Sequence, residues 1–121
     1  MLYAMLIYGD ETAADTSPDG MKAMVDGYQE FERWLDDRGI KRGAEALWPT
    51  DRATTIRIRG DEAITTDGPF AETKEQLGGF YLLECDHLDD AILAARRCPG
   101  SERGAIEIRP VVDLSGFREG A

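Results

Sequence analysis

A chain of 121 residues is long enough for one domain that buries roughly two-thirds of its unfolded surface, and 42% apolar with 31% charged residues is an ordinary globular composition. With 24 acidic against 14 basic side chains, the formal charge of −10 disfavours a nucleic-acid backbone or an anionic membrane as partner, because such surfaces are held by clustered Lys and Arg. Cys85 and Cys98 lack CxxC spacing and His87 cannot complete a zinc set with them, so the expectation is no metal, no cofactor and reduced thiols in the cytoplasm.

Leu2 to Tyr8 is a continuous apolar run closed by Gly9-Asp10. It reads as a strand buried on both faces, too short to cross a membrane and without the basic flank of a leader. Residues 11–16 are a polar loop. Ser17 as N-cap and Pro18 in the first turn then open a helix that runs to Gly39, about 21 residues or some 30 Å. Met21, Met24, Val25, Tyr28, Phe31 and Leu35 recur along it at three- and four-residue steps, predicting one stripe on the core.

Ala44 to Trp48 offers a second strand, broken at Pro49, and Thr54–Arg59 with Glu62–Thr66 reads as a β-hairpin turning at Gly60-Asp61. Asp67-Gly68-Pro69 dictates a tight turn. Phe70 is expected to be buried as the anchor of the loop after it, and Gly78-Gly79 lets backbones approach closely. Phe80–Cys85 is a central strand, with Phe80 and Leu82 on one side and Tyr81 and Leu83 on the other. Asp86 and Asp89 suggest a capping box for a second helix over 87–97, whose inner stripe is Leu88, Ala91, Ile92 and Ala95. Ala105–Val112 closes the sheet, and Pro110 marks an edge or a bulge. Residues 1–112 form the single domain, and 113–121 read as a frayed tail.

This order is α+β and ferredoxin-like, βαββαβ with an inserted β-hairpin, with both helices on one face of the sheet. The first and central strands are apolar on both sides, so the other face needs a cover, and a second copy of the chain is the economical one. The expectation is a homodimer packed sheet on sheet around a cavity.

Candidate residues follow from placement. Asp67 ends a strand, where a desolvated carboxylate facing a cavity acts as a general base, or where an Asx-turn needs it for structure alone. Glu72 and Lys74 follow in the loop, either meeting one ligand with Lys74 as anion anchor or forming a solvated ion pair. Tyr8, Phe70 and Tyr81, with Trp48, offer an aromatic lining, or simply core. Arg109 alternates opposite Ile106 and Ile108 and points to the cavity or covers its mouth. His87, at a helix start, reads as solvent-exposed; Cys85 and Cys98 read as structural.

The segment from Asp67 to Glu84, DGPFAETKEQLGGFYLLE, resembles the signature of the DGPF-domain proteins in the YCII-related superfamily. The resemblance extends to Tyr3–Gly9, to Leu88–Ala91, to Arg97-Cys98-Pro99 and to Glu107–Val111. It implies a dimeric α+β barrel with a small-molecule pocket. Better understood relatives pair a His with an Asp; Asp67 matches that Asp, while the first helix holds no His. Three roles stay open: an acid–base enzyme acting on a ring substrate and a ligand-sensing accessory module associated with an extracytoplasmic-function sigma factor, both implied by the resemblance, or a structural interaction protein with no pocket.

Overall fold

The computed structural model describes residues 1–119. Six strands and four α-helices run in the order β1 (Leu2–Gly9), α1 (Pro18–Arg38), β2 (Lys41–Ala46), β3 (Thr54–Arg59), β4 (Glu62–Asp67), β5 (Gln76–Glu84), α2 (Leu88–Arg97), α3 (Gly100–Arg103), β6 (Ala105–Pro110) and α4 (Ser115–Glu119). The fold is α+β. A four-stranded antiparallel sheet has the order β2-β5-β1-β6, and β3 with β4 makes a separate two-stranded sheet.

Alternation along β1 and β5 sets the two faces. Tyr3 and Met5 of β1, with Tyr81 and Leu83 of β5 and Cys85 just beyond it, pack against Phe31 and Leu35 of α1 and against Ala91, Ala94 and Ala95 of α2. Both helices therefore cover one face, as right-handed crossovers require. Trp34 ties them together: the guanidinium carbons of Arg38 and Arg97 lie 4.3 and 5.0 Å from its ring centroid. On the opposite face Ala4 pairs with Leu82, and Leu6 with Phe80, all half-buried and without a helix over them.

Local signals explain the element ends. Ser17 accepts from the Gly20 N–H at 3.1 Å as N-cap of α1, and Gly39 closes the helix with φ 64°, its N–H donating to Leu35 and Asp36. Gly68 has φ 101°, the left-handed region that glycine alone enters readily, and its N–H donates to the Ala53 carbonyl at 2.7 Å. A bulge falls in β5 at Gly78, where the partners of Ile7 and Tyr8 skip from Gly79 to Leu77.

Several expectations need correction. The second strand is Lys41–Ala46 rather than Ala44–Trp48, because Ile40 and the residues after the Gly39 cap run straight into pairing with β5. β5 starts at Gln76, four residues before Phe80, since the Gly78 bulge carries pairing through the two glycines. β6 ends at Pro110, a residue tolerated because β6 is an edge strand, and one more bond to β1 follows from the Val111 N–H to the Leu2 carbonyl at 2.9 Å. No capping box opens α2: His87 is the N-cap residue and makes no side-chain cap bond. The inner stripe of α2 is Ala91, Ala94 and Ala95, while Leu88 and Ile92 stay exposed at its margin. Phe70 is 77% exposed rather than buried, because the irregular 68–75 segment lies on the hairpin side and no helix covers it. Of the tail, 113–119 carries the short helix α4, and residues 120–121 lie outside the described residues.

Candidate functional site

The N-terminal half of α1 does not pack as its sequence pattern predicts. Phe31 and Leu35 are buried, yet Met21 and Val25 on the same stripe are 44% and 47% exposed. Beneath them the sheet face is open. The result is a cleft of about 1450 Å³ between α1 and the ends of β1, β2 and β5.

One wall of the cleft is helical, formed by the adjacent pairs Met24-Val25, Tyr28-Gln29 and Glu32-Arg33, which repeat every four residues along one side of α1. The floor is the sheet: Ile7 and Tyr8 from β1, Ala44 to Ala46 from β2, and Gly78 to Tyr81 from β5. The rim is the β1–α1 loop facing Leu47, Trp48 and Pro49. Glu11 ties these two rims together by accepting from the Thr50 N–H at 2.9 Å and the Thr50 hydroxyl at 2.7 Å. Trp48 is thereby held at the mouth, 73% exposed, with the Arg52 guanidinium 4.4 Å from its ring centroid.

Two phenols and a carboxylate converge inside. The Tyr81 hydroxyl donates to Glu32 Oε1 at 3.0 Å, and Lys41 Nζ pairs with Glu32 Oε2. Phe31 meets the Tyr81 ring edge-on at 5.2 Å between centroids and fixes its orientation. Burial, together with the negative Glu32, pushes the Tyr81 hydroxyl far above the ordinary phenol range, so it stays a donor. Burial likewise raises Tyr28, whose hydroxyl lies 3.8 Å from the Cys98 sulfur. The Glu32 hydrogen bond raises Lys41, which stays charged. At the rim, hydrogen bonds from Thr12 lower Asp10 and hydrogen bonds from Ser17 lower Asp15, so both carboxylates stay ionised. A smaller hollow of about 360 Å³ between α2 and β6 is lined by Ile92, Ala95, Arg96, Ser101, Ile106 and Ile108, with Arg96 its one charged group.

Residues 1–115 match the YCII-related domain family. The chain belongs to that family. This YCII-related chain is 41% identical over 115 residues to the uncharacterized protein R00369 of Rhizobium meliloti (strain 1021), covering 92% of each. Among solved structures it is similar to the 5-chloro-2-hydroxyhydroquinone dehydrochlorinase of Burkholderia phenoliruptrix AC1100 in complex with 2,5-dihydroxybenzoquinone. The identity is 13%, the TM-score 0.49, and the match covers 93% of this chain and 94% of that one.

In the YCII-related chain, Tyr8, Trp48 and Tyr81 of the residues singled out from sequence line the cleft. Asp67, Phe70, Glu72, Lys74 and Arg109 do not. Asp67 pairs with Thr54 at the end of the hairpin and is exposed, as are Glu72 and Lys74 in the loop after it. Arg109 lies beside Ala4, on the sheet face away from the helices. Sequence reasoning missed Glu32, although its signal was present: a carboxylate seven residues from Val25 and four from Tyr28 interrupts the apolar stripe of α1. Among the described residues no three His, Cys, Asp or Glu side chains converge as metal ligands, and no helix is long and apolar enough to cross a membrane.

Proposed function

We infer that this YCII-related chain binds a small molecule in the cleft between α1 and the sheet. The observation that carries this reading is the unpacked half of the α1 stripe. Met24, Val25 and Tyr28 present apolar surface to an open space large enough for a ring-sized ligand, with Glu32 and Tyr81 as fixed polar groups at its floor. Such a combination, an apolar wall with a few convergent polar groups, also serves acid–base chemistry.

The same reading places the chain among the DGPF-domain proteins and gives the sheet a ferredoxin-like order, βαββαβ with the β3–β4 hairpin inserted. It pairs two copies through the face bearing Ala4, Leu6, Phe80 and Leu82 as a dimeric α+β barrel. Exposed Phe70, Ile56 and Ile58 on the hairpin side fit that assembly, where a second copy would cover them. In this arrangement Asp67, Glu72, Lys74 and Arg109 belong to the dimer surface, and Tyr8 and Tyr81 to the ligand site.

A thermal-shift screen of uncharged ring compounds tests the cleft, alongside Val25→Trp, which puts a bulky ring into its helical wall where the ligand's apolar body would lie. Binding raises the melting temperature of the wild type with ligand concentration, and Val25→Trp abolishes the rise. Rises that persist in Val25→Trp would place the ligand elsewhere. Light scattering should return twice the chain mass.

A further inference from the structure

We propose that Glu32 is the hydrogen-bond acceptor by which the cleft recognises its ligand, an uncharged molecule carrying a hydroxyl or amino donor on an apolar body. Tyr81 and Lys41 are the positioning residues of that carboxylate. The inference rests on the cleft reading above and deepens it.

Glu32 occupies a position where a carboxylate needs a reason. Phe31 and Leu35 beside it are buried, while Glu32 lines the cleft with 32% of its side chain accessible. An ionised carboxylate has about four acceptor sites. Oε1 takes the Tyr81 hydroxyl and Oε2 takes Lys41, which leaves acceptor capacity free on the cleft side. Lys41 approaches from outside the cleft lining, with Asp36 3.9 Å from its ammonium. A ligand therefore meets the carboxylate and not the ammonium.

The positioning is built in at both ends. The left-handed Gly39 cap turns the chain so that Lys41, at the start of β2, falls back on Glu32 one and a half turns from the end of α1. On the other side Phe31 holds the Tyr81 ring, so its hydroxyl is aimed before any ligand arrives. A plain α1–β2 ion pair accounts for Lys41 but not for the second hydrogen bond from a buried phenol, nor for the exposure to the cleft.

Charge sets the ligand class. Asp10, Glu11, Asp15, Glu32 and Glu45 line the cleft against Arg33 and Arg103, so an anion is repelled; Lys41 offsets Glu32, so a donor at that carboxylate needs no positive charge of its own. An uncharged donor remains as the best match. Met24, Val25 and Trp48 supply the apolar contact for its body.

Two probes of nearly equal shape test this: 4-nitrophenol, which has a donor hydroxyl, and 4-nitroanisole, in which a methyl group replaces that hydrogen. Absorbance follows ionisation of the phenol, and a carboxylate accepting from it favours the neutral form, so its pKa rises on binding. Wild type should bind the phenol more tightly than the anisole and raise the phenol's pKa. Glu32→Gln should weaken phenol binding by about tenfold or more, abolish the pKa rise and leave anisole binding unchanged. Tyr81→Phe, which keeps the Lys41 pair, should weaken the phenol severalfold and retain the rise; it carries the test if Glu32→Gln fails to fold by circular dichroism. Equal binding of the two probes, indifferent to either substitution, would overturn the role of Glu32 and leave the cleft as a binding site. Binding of neither probe at millimolar concentration would remove both.

Discussion

Gly79 is a position where one methyl group should damage the sheet. A Cβ built there stands 2.8 Å from the Glu45 carbonyl oxygen and 3.4 Å from the Ala46 Cα, both backbone atoms of β2. Neither can rotate away as a side chain would, so β2 must shift as a strand. It is an edge strand, paired only with β5, and it can move a few tenths of an ångström at the cost of its hydrogen bonds. Overpacking of this kind costs about 1–3 kcal/mol. For a domain of this size each kcal/mol lowers the melting temperature by roughly 3–5 °C, so Gly79→Ala should melt roughly 3–15 °C below wild type. Gly78→Ala is the matched control. Its Cβ would meet only the Ile7 carbonyl oxygen at 3.9 Å, an ordinary contact, so its stability should change by no more than about 0.5 kcal/mol. Thermal melts by circular dichroism give the comparison, and faster hydrogen exchange at the Leu47 N–H, which donates to the Gly78 carbonyl at 2.9 Å, would locate the damage in β2. Equal losses in the two variants, or none in Gly79→Ala, would refute close strand approach as the reason for glycine at 79.

Leu83→Ala removes a fully buried side chain from the centre of the core and should cost about 2–5 kcal/mol, read from the urea midpoint at unchanged slope. Asp15 is held below its ordinary value of 3.8 by the Ser17 hydroxyl and N–H, so its contribution is present above pH 3.8 and is lost as pH falls through the lower folded value. Asp15→Ala should therefore be less stable than wild type at pH 6 and equal to it in strong acid, as compared by melts across pH; a gap that persists in acid would contradict this. Burial pushes the Cys85 and Cys98 thiols up, so neither should react with a disulfide reagent at pH 7.5 until urea unfolds the chain. Stoichiometric reaction in native buffer would show that one of them is open to solvent.

The sequence announced most of the scaffold. Apolar runs on both sides of Leu2–Tyr8 and Phe80–Cys85 marked the central strands, and Ser17-Pro18 and Gly39 bracketed α1 to within a residue. β2 was harder to place, because Lys41 and Gly43 pair with β5 around a bulge at Arg42 and an edge strand needs no apolar alternation. The cleft was illegible for a different reason. Met24 and Val25 give the same three- and four-residue spacing whether a sheet packs against them or an open space lies below. Phe70 misled because size and apolarity record the capacity for burial, not the presence of a neighbour. Tyr8 and Tyr81 were readable as aromatic lining, whereas the Glu32–Tyr81–Lys41 grouping joins residues up to 49 apart and emerges only when β5 is laid beside the end of α1.

The position of β1 has a consequence for biosynthesis. It pairs with β5 from Gln76 onward and with β6 from Ala105 onward, so its neighbours on both sides come from residues 76–110. At a synthesis rate of about 5–20 residues per second, a strand apolar on both faces waits roughly 4–14 s for its first partner. Closing that long chain segment is also a slow step in folding, since most of the sheet's contacts join distant residues. Until β5 emerges the nascent chain carries that apolar strand unpaired, so fast overexpression should send more of it into aggregates than slow expression at low temperature.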